Sequence, residues 1–267
     1  MMRWVVWLWL LVSLGGCGDS RIFAPVPQPK AASQMRVMSY NVNFGVAGDK
    51  SNLDAIAAAH PDLVMLQETN PEWQRALVAR LGADYPHHRF THPETWPAGG
   101  MGLLSKYPVV ALQHLDTHGG YFFAWRVVLD TKLGRIQVLN VHLRPPMSDG
   151  GSWVVGFWST RGNRLTEIEH HFAALDPKLP TIILGDFNEE TDGRAMKFLE
   201  DRGFADAIAH HAGNTPTWSW PVGSITLRFQ LDHIMHDAHF IPVTAAIVEA
   251  GRSDHKPIWA DFERMDP

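Results

Sequence analysis

Cysteine is almost absent, since the 267-residue chain holds one, Cys17. A single thiol excludes an internal disulfide framework and a cysteine-ligated zinc site. Long hydrophobic runs are absent too: the apolar stretch at residues 4–14, broken only by Ser13, falls short of the roughly 20 residues that a membrane-spanning helix needs. There is no run of Lys or Arg, and 23 bases face 28 acids for a formal charge of −5. The usual electrostatic footprint of tight nucleic-acid binding, many neutralised phosphates, is therefore missing. With 45% hydrophobic and 19% charged residues, the chain is neither a disordered tail nor a fibre. Its length suits one sizeable domain, or at most two small ones.

The chain opens with a short basic start ending at Arg3, and the apolar stretch that follows reads as an export signal. Leu14-Gly15-Gly16-Cys17 resembles the lipobox of bacterial lipoproteins, which implies removal of residues 1–16 as a signal peptide and acylation of Cys17. The alternative is an uncleaved anchor that ends in an ordinary cysteine. Cleavage removes one base, Arg3, and no acid, so the mature body is the more acidic. Residues 17–34 carry Pro25, Pro27 and Pro29 and read as an extended, lipid-anchored tether. A catalytic domain is expected over residues 35–267, held at the cell envelope and facing the periplasm or exterior. Gly18, rather than an acid, follows Cys17 and leans the expectation to the outer membrane.

Apolar periodicity predicts strands at 35–41, 63–67, 102–105, 121–130, 135–141, 181–184, 230–235 and 258–262, and helices at 52–60, 71–81, 160–175 and 194–201. Residues 132–134 turn a hairpin between two of the strands. Hairpin and crossover contexts together imply an α/β sandwich with mixed sheets, without internal repeats.

Polar residues fall at the ends of these apolar runs. Asn41 closes the first strand, Glu68 follows Leu63-Val64-Met65-Leu66-Gln67, and His142 follows Val138-Leu139-Asn140-Val141. Asp186 and Asn188 follow Ile182-Ile183-Leu184-Gly185, Asp232 and His233 follow Leu231, and Asp254 and His255 precede the last strand. Gathered at one sheet edge, carboxylates, amides and imidazoles would make a hard, oxygen-rich metal site with acid/base groups beside it. Blander roles compete: Asp186 as a turn or helix cap, Asp232-His233 as a surface pair, and His142 as a satisfied core histidine. The fifteen histidines include the pairs His87-His88, His170-His171 and His210-His211, whose adjacent members diverge and argue against a dedicated His-zinc site.

The order of motifs resembles the endonuclease/exonuclease/phosphatase superfamily, which includes deoxyribonuclease I-like nucleases, inositol polyphosphate 5-phosphatases and bacterial sphingomyelinases. The resemblance runs from Ser39-Tyr40-Asn41-Val42 through Leu66-Gln67-Glu68, Gly102-Leu103-Leu104-Ser105, Asn140-Val141-His142-Leu143, Gly185-Asp186-Phe187-Asn188 and Leu231-Asp232-His233-Ile234 to Ser253-Asp254-His255-Lys256-Pro257. It implies a four-layered α/β sandwich with two mixed β-sheets, and in-line attack of water on a phosphodiester or phosphomonoester. It assigns Glu68 as the main Mg²⁺ ligand, with Mn²⁺ as a substitute, and Asn41 and Asp254 as its surroundings. Asp186 would orient or deprotonate the water, and Asn188 would hold it or a phosphate oxygen. His255 would stabilise developing charge while Asp232 orients it, and His142 would bind phosphate or protonate the leaving group. Asn41-Val42-Asn43 replaces the Asn-x-Asp of several nuclease relatives, which favours one metal over two.

The substrate is expected to be a nucleotide, nucleic acid or lipid headgroup, acted on by a monomer. A DNA or RNA endonuclease and a non-catalytic binding lipoprotein are the competing readings. Residues 145–162 are expected to form a long Gly-rich loop carrying Trp153, Phe157 and Trp158, which could stack a base, enter a lipid interface or cover the core. Arg144, two residues after His142, would share its face on a continuing strand and could clamp a phosphate. Trp218 and Trp220 fit a family segment near the substrate cleft, with packing as their expected role.

Overall fold

The computed structural model describes residues 30–265 apart from Thr95, Gly119, Asp149 and Ser152, and leaves aside the side chains of Trp153 and Val154. Cys17, the expected signal peptide and most of the tether lie outside the described residues. The chain runs β1 (Met35–Asn41), α1 (Lys50–Ala59), β2 (Leu63–Gln67), α2 (Pro71–Leu81), β3 (His87–Thr91), β4 (Met101–Ser105), β5 (Val109–Leu115), β6 (Ala124–Thr131) and β7 (Gly134–His142). It continues through α3 (Trp153–Ser159), α4 (Arg161–Phe172), β8 (Thr181–Asp186), α5 (Arg194–Glu200), β9 (Ala205–Asp206), α6 (Ala207–Ala212), β10 (Trp218–Val222) and β11 (Ile225–Phe229). β12 (Asp232–His236), β13 (Phe240–Ile247) and β14 (Ile258–Arg264) complete it.

Two six-stranded mixed sheets, β13-β14-β1-β2-β4-β3 and β5-β6-β7-β8-β12-β9, pack face to face, and β10-β11 forms a separate ribbon. Side chains alternate across each strand, which divides the apolar residues among three interfaces. Met35, Val37, Leu63 and Met65 meet Val127, Val138, Ile182 and Leu184 between the sheets. Met38, Tyr40, Val64 and Leu66, on the other face of the first sheet, meet Leu53 and Ile56 of α1 and Trp73 and Leu77 of α2. Leu139, Val141, Ile183 and Met235 of the second sheet meet Ile168 of α4 and Met196 and Leu199 of α5. Three interfaces make four layers, as the family resemblance implies. β1, β2, β4, β8 and β12 are buried at every position because both of their faces are covered, which explains the continuous apolar runs of β2 and β8.

Two parallel pairs, β1 with β2 and β7 with β8, bring four strand ends to one edge. β12 runs antiparallel to β8, so it brings its start to the same edge. His142 pairs in register with Asp186, and Asp186 with Asp232, so three expected site residues form one row across three strands. Gly185 underlies this row at φ +139, where a Cβ would lie 2.0 Å from the Val141 carbonyl, a position that only glycine fits.

Some expectations shift. The loop expected at 145–162 contains α3 and the start of α4, the strand expected at 121–130 begins only at Ala124, and the helix expected at 160–175 ends at Phe172. Strand β7 ends at His142, so Arg144 is not carried on a continuing strand with His142. Its guanidinium lies instead 4.8 Å from the ring centre of Tyr121, and its backbone N–H donates to Glu167.

Candidate active site

The row His142-Asp186-Asp232 forms the floor, and one atom organises it. Asp186 Oδ2 accepts a 3.1 Å hydrogen bond from Asn41 Nδ2. The same oxygen lies 3.5 Å from His142 Nε2 and 3.5 Å from His255 Nε2. Asp186 is 1% exposed, and burial raises its pKa against the pull of His255. Its other oxygen accepts from the Asn188 backbone N–H at 3.0 Å, and the Asn188 side chain donates to the Leu143 carbonyl. Asp186 thus ties down the turn after its own strand as well as facing the site.

His255 donates from Nδ1 to Asp232 Oδ2 at 2.9 Å, the orienting pair expected from sequence. Burial opposes its charge, but the carboxylates of Asp232 and Asp186 outweigh burial and hold the imidazole well above its ordinary range. Thr217 fixes the other partner, its hydroxyl accepting from the Leu231 and Asp232 backbone N–H groups. His233, next in sequence, turns away from the site to Asp206 and the Glu189 carbonyl, and is buried rather than part of a surface pair.

His142 is the opposite case. Burial, helped by the nearby His255, pushes its pKa down to about 3, and Phe122 stacks on its ring at 4.0 Å. It is a neutral imidazole at neutral pH. That suits a hydrogen bond to a phosphate oxygen and not proton delivery from an imidazolium.

Glu68 sits beyond the end of β2 with φ +59, a left-handed conformation uncommon for a glutamate. Its carboxylate accepts from Asn41 Nδ2 at 3.0 Å and from the Phe44 backbone N–H at 3.3 Å, and burial raises its pKa. Asn43 and Asn188 also have positive φ, so among the described residues three of the four non-glycine residues in that region border this site. Asp254 is held from both sides, by Asn43 Nδ2 at 2.7 Å and by Trp218 Nε1 at 2.9 Å. The amide of Asn43 binds that acid, where a carboxylate would repel it.

Among the described residues, one acid/histidine group is compact enough to hold an ion: Asp186, Asp232 and His255, with ligand atoms within 4.8 Å of one another. It differs from the expected set of Glu68, Asn41 and Asp254. Asp232 and His255 already spend an oxygen and a nitrogen on each other, and a charged imidazole is no metal ligand. Glu68 and Asn41, by contrast, carry side-chain oxygens of the kind a hard cation takes.

Sequence reading missed Asn43, Thr217, Phe122 and Ser253 as supports, the last donating to the Asn41 carbonyl at 2.8 Å. It placed Trp218 near the substrate cleft with packing as its expected role, and not as a holder of Asp254. Ser253, inside a quoted motif, and Asn43, in Asn41-Val42-Asn43, had a local signal.

Carboxylates, amides and imidazoles gathered at one edge of two stacked mixed sheets define a metal-dependent hydrolase of phosphoester bonds. The chain belongs to the endonuclease/exonuclease/phosphatase family, whose model matches residues 38–255. No curated protein matches it in sequence. An endonuclease/exonuclease/phosphatase from Beutenbergia cavernae is similar in structure, with TM-score 0.69 and 19% identity over 87% of this chain and 72% of that one. A functionally unknown conserved protein from Enterococcus faecalis aligns with TM-score 0.67 and 18% identity over 86% of this chain and 100% of that one. TDP2 from D. rerio, solved with a single-strand DNA product, aligns with TM-score 0.66 and 17% identity over 86% of this chain and 99% of that one.

Proposed function

We propose that the chain hydrolyses a phosphodiester by attack of water on phosphorus, with Mg²⁺, or Mn²⁺ in its place, as the cation. The observation that carries this reading is the junction at Asp186 Oδ2, where a buried carboxylate meets Asn41, His142 and the His255-Asp232 pair. A bound divalent cation would supply Lewis acidity to a phosphoryl oxygen, with Glu68 and Asn41 as its holders and Asp254 alongside. Asp186 takes the proton of the attacking water, and Asn188 keeps the turn beside it in place. His255 as imidazolium offers Nε2–H to the phosphoryl oxygen as negative charge grows, while Asp232 fixes its direction. His142, being neutral, donates to a second phosphate oxygen. The DNA product seen with D. rerio TDP2 is in keeping with a phosphodiester, whereas the charge of −5 argues against a long polyanion.

Assay of the full-length chain with Mg²⁺ on bis-p-nitrophenyl phosphate, p-nitrophenyl phosphate, plasmid DNA and sphingomyelin, each repeated with chelator, tests the proposal. Chelator-sensitive turnover of the diester above the monoester is expected. Nicked plasmid as the dominant product would favour the nuclease reading, and no turnover of any substrate would overturn the proposal.

We further propose that residues 17–34 tether the catalytic domain, residues 35–267, to the cell envelope through acylated Cys17, with the domain acting as a monomer. Labelled palmitate should enter the wild-type chain when expressed in a bacterial host and be absent from Cys17→Ser. Equal labelling of both would sink the anchor.

A further inference from the structure

Beside the site lies a cleft of about 250 Å³ walled by Phe157, Trp158, Trp218, Leu227 and Phe229. Trp218 joins the two regions, since its indole N–H holds Asp254 and its ring lies 6.4 Å from that of His255. Whatever is esterified to a phosphate at Asp186 and His255 therefore has this cleft as a neighbour. We infer that the cleft is a subsite for a neutral planar ring, of aryl or nucleobase type, carried on the substrate phosphate. The inference rests on the phosphoesterase reading above and names the ester group that the site prefers.

Three observations select this occupant. First, three rings of the wall share an orientation, Trp218 and Phe229 lying within 15° and Phe229 and Phe157 within 24°, while Trp158 stands across them at 84° to Phe157. Flat groups gain from such a set by stacking, whereas a flexible acyl chain needs no shared plane. Secondly, the position that a cationic headgroup would take is filled. The Arg161 guanidinium lies 4.3 Å from the Trp158 ring centre and 5.3 Å from that of Phe157, so an ammonium group would meet a fixed positive charge. Thirdly, Glu190 and Asp192 line the same cleft, and Asp192 pairs with Arg161 at 2.9 Å. With one acid left over, a second phosphate beyond the ring is repelled. Trp158 is 64% exposed, so its large ring does not serve the core and is placed to cover a ligand.

Calorimetric titration of the full-length chain in Mg²⁺ tests the subsite without requiring turnover. Phenylphosphonate is compared with methylphosphonate, and adenosine 5′-monophosphate with ribose 5-phosphate. The ring-bearing member should bind roughly tenfold tighter, the scale of one stacked ring. The pair with the larger gain tells aryl from nucleobase. Adenosine 3′,5′-bisphosphate should bind no tighter than the monophosphate. Trp158→Ala should remove most of the preference and leave methylphosphonate binding unchanged, and Trp158→Phe should restore it. Equal affinities within both pairs, no binding of any ligand, or a Trp158→Ala loss shared by ring-free ligands would each overturn the subsite. Turnover of bis-p-nitrophenyl phosphate by the same preparation reports separately on the phosphoesterase reading.

Discussion

Asp186→Asn should lower Mg²⁺-dependent phosphoester hydrolysis by roughly 10³-fold or more while the melting temperature holds or rises, and His255→Ala should reach a similar loss of rate. The argument starts from shape. Asparagine is nearly isosteric with aspartate, and its amide oxygen can still accept from Asn41 Nδ2 or the Asn188 backbone N–H, the two bonds that seat the side chain. What disappears is a buried negative charge that burial already disfavours and that Asp232 repels, so the fold loses little. The chemistry loses its base for water and one of the three carboxylates, beside Asp232 and Asp254, that keep His255 charged. His255→Ala removes the imidazolium itself and strands Asp232, so some stability should go with the rate. Steady-state kinetics beside thermal denaturation decides the matter. Wild-type turnover in a folded Asp186→Asn protein would refute the role given to this carboxylate.

Arg164→Met should cost about 3–5 kcal/mol of stability, the usual penalty for leaving a buried partner charge alone, or roughly 6–20 °C in melting temperature for a chain of this size. Arg164 is fully buried and paired with Glu189 at 3.1 Å. Its guanidinium donates to the Thr160 hydroxyl, the Arg144 carbonyl and the Phe157 carbonyl. One side chain thus joins the segment after His142, the segment after Asn188 and the helix that walls the aromatic cleft. Glu167, close by, is buried and pushed up to about 7, and it accepts from the Arg144 backbone N–H. Glu189→Gln in the Arg164→Met background should recover part of the loss, because the stranded charge is then gone. A melting temperature within about 2 °C of wild type for the single variant would show that the ion pair is not needed.

Arg164 also shows where sequence reading stops. It shares its face of α4 with Glu167 and His171 as well as Ile168, a mixture that marks no buried stripe; only the three-dimensional meeting with Glu189 places it inside. The strand-end residues were legible for the opposite reason. A run of buried apolar residues that stops at Asn41, Gln67-Glu68, His142 or Asp186 marks both the strand and its polar tip. β3, with the sequence His87-His88-Arg89-Phe90-Thr91, is an edge strand with no fully buried position, so it carries no apolar alternation to detect. The β10-β11 ribbon is mostly exposed and equally silent. The register of His142, Asp186 and Asp232 could not be read at all, since it depends on which strands become neighbours.

The pairing of β1 with β14 carries a consequence for how the molecule is made. Met35 aligns with Phe262 and Ser39 with Ile258, so the first strand of the domain finds an antiparallel partner only in the last. Synthesis from the N-terminus delivers β1 before β14 and leaves one of its edges bare until residues 258–264 have emerged. Closing so long a loop is slow. The domain should therefore reach its native state only once β14 has been made, as a single late event, and a chain truncated before residue 258 should lack both the strand that completes its first sheet and the order of the Asn41 edge.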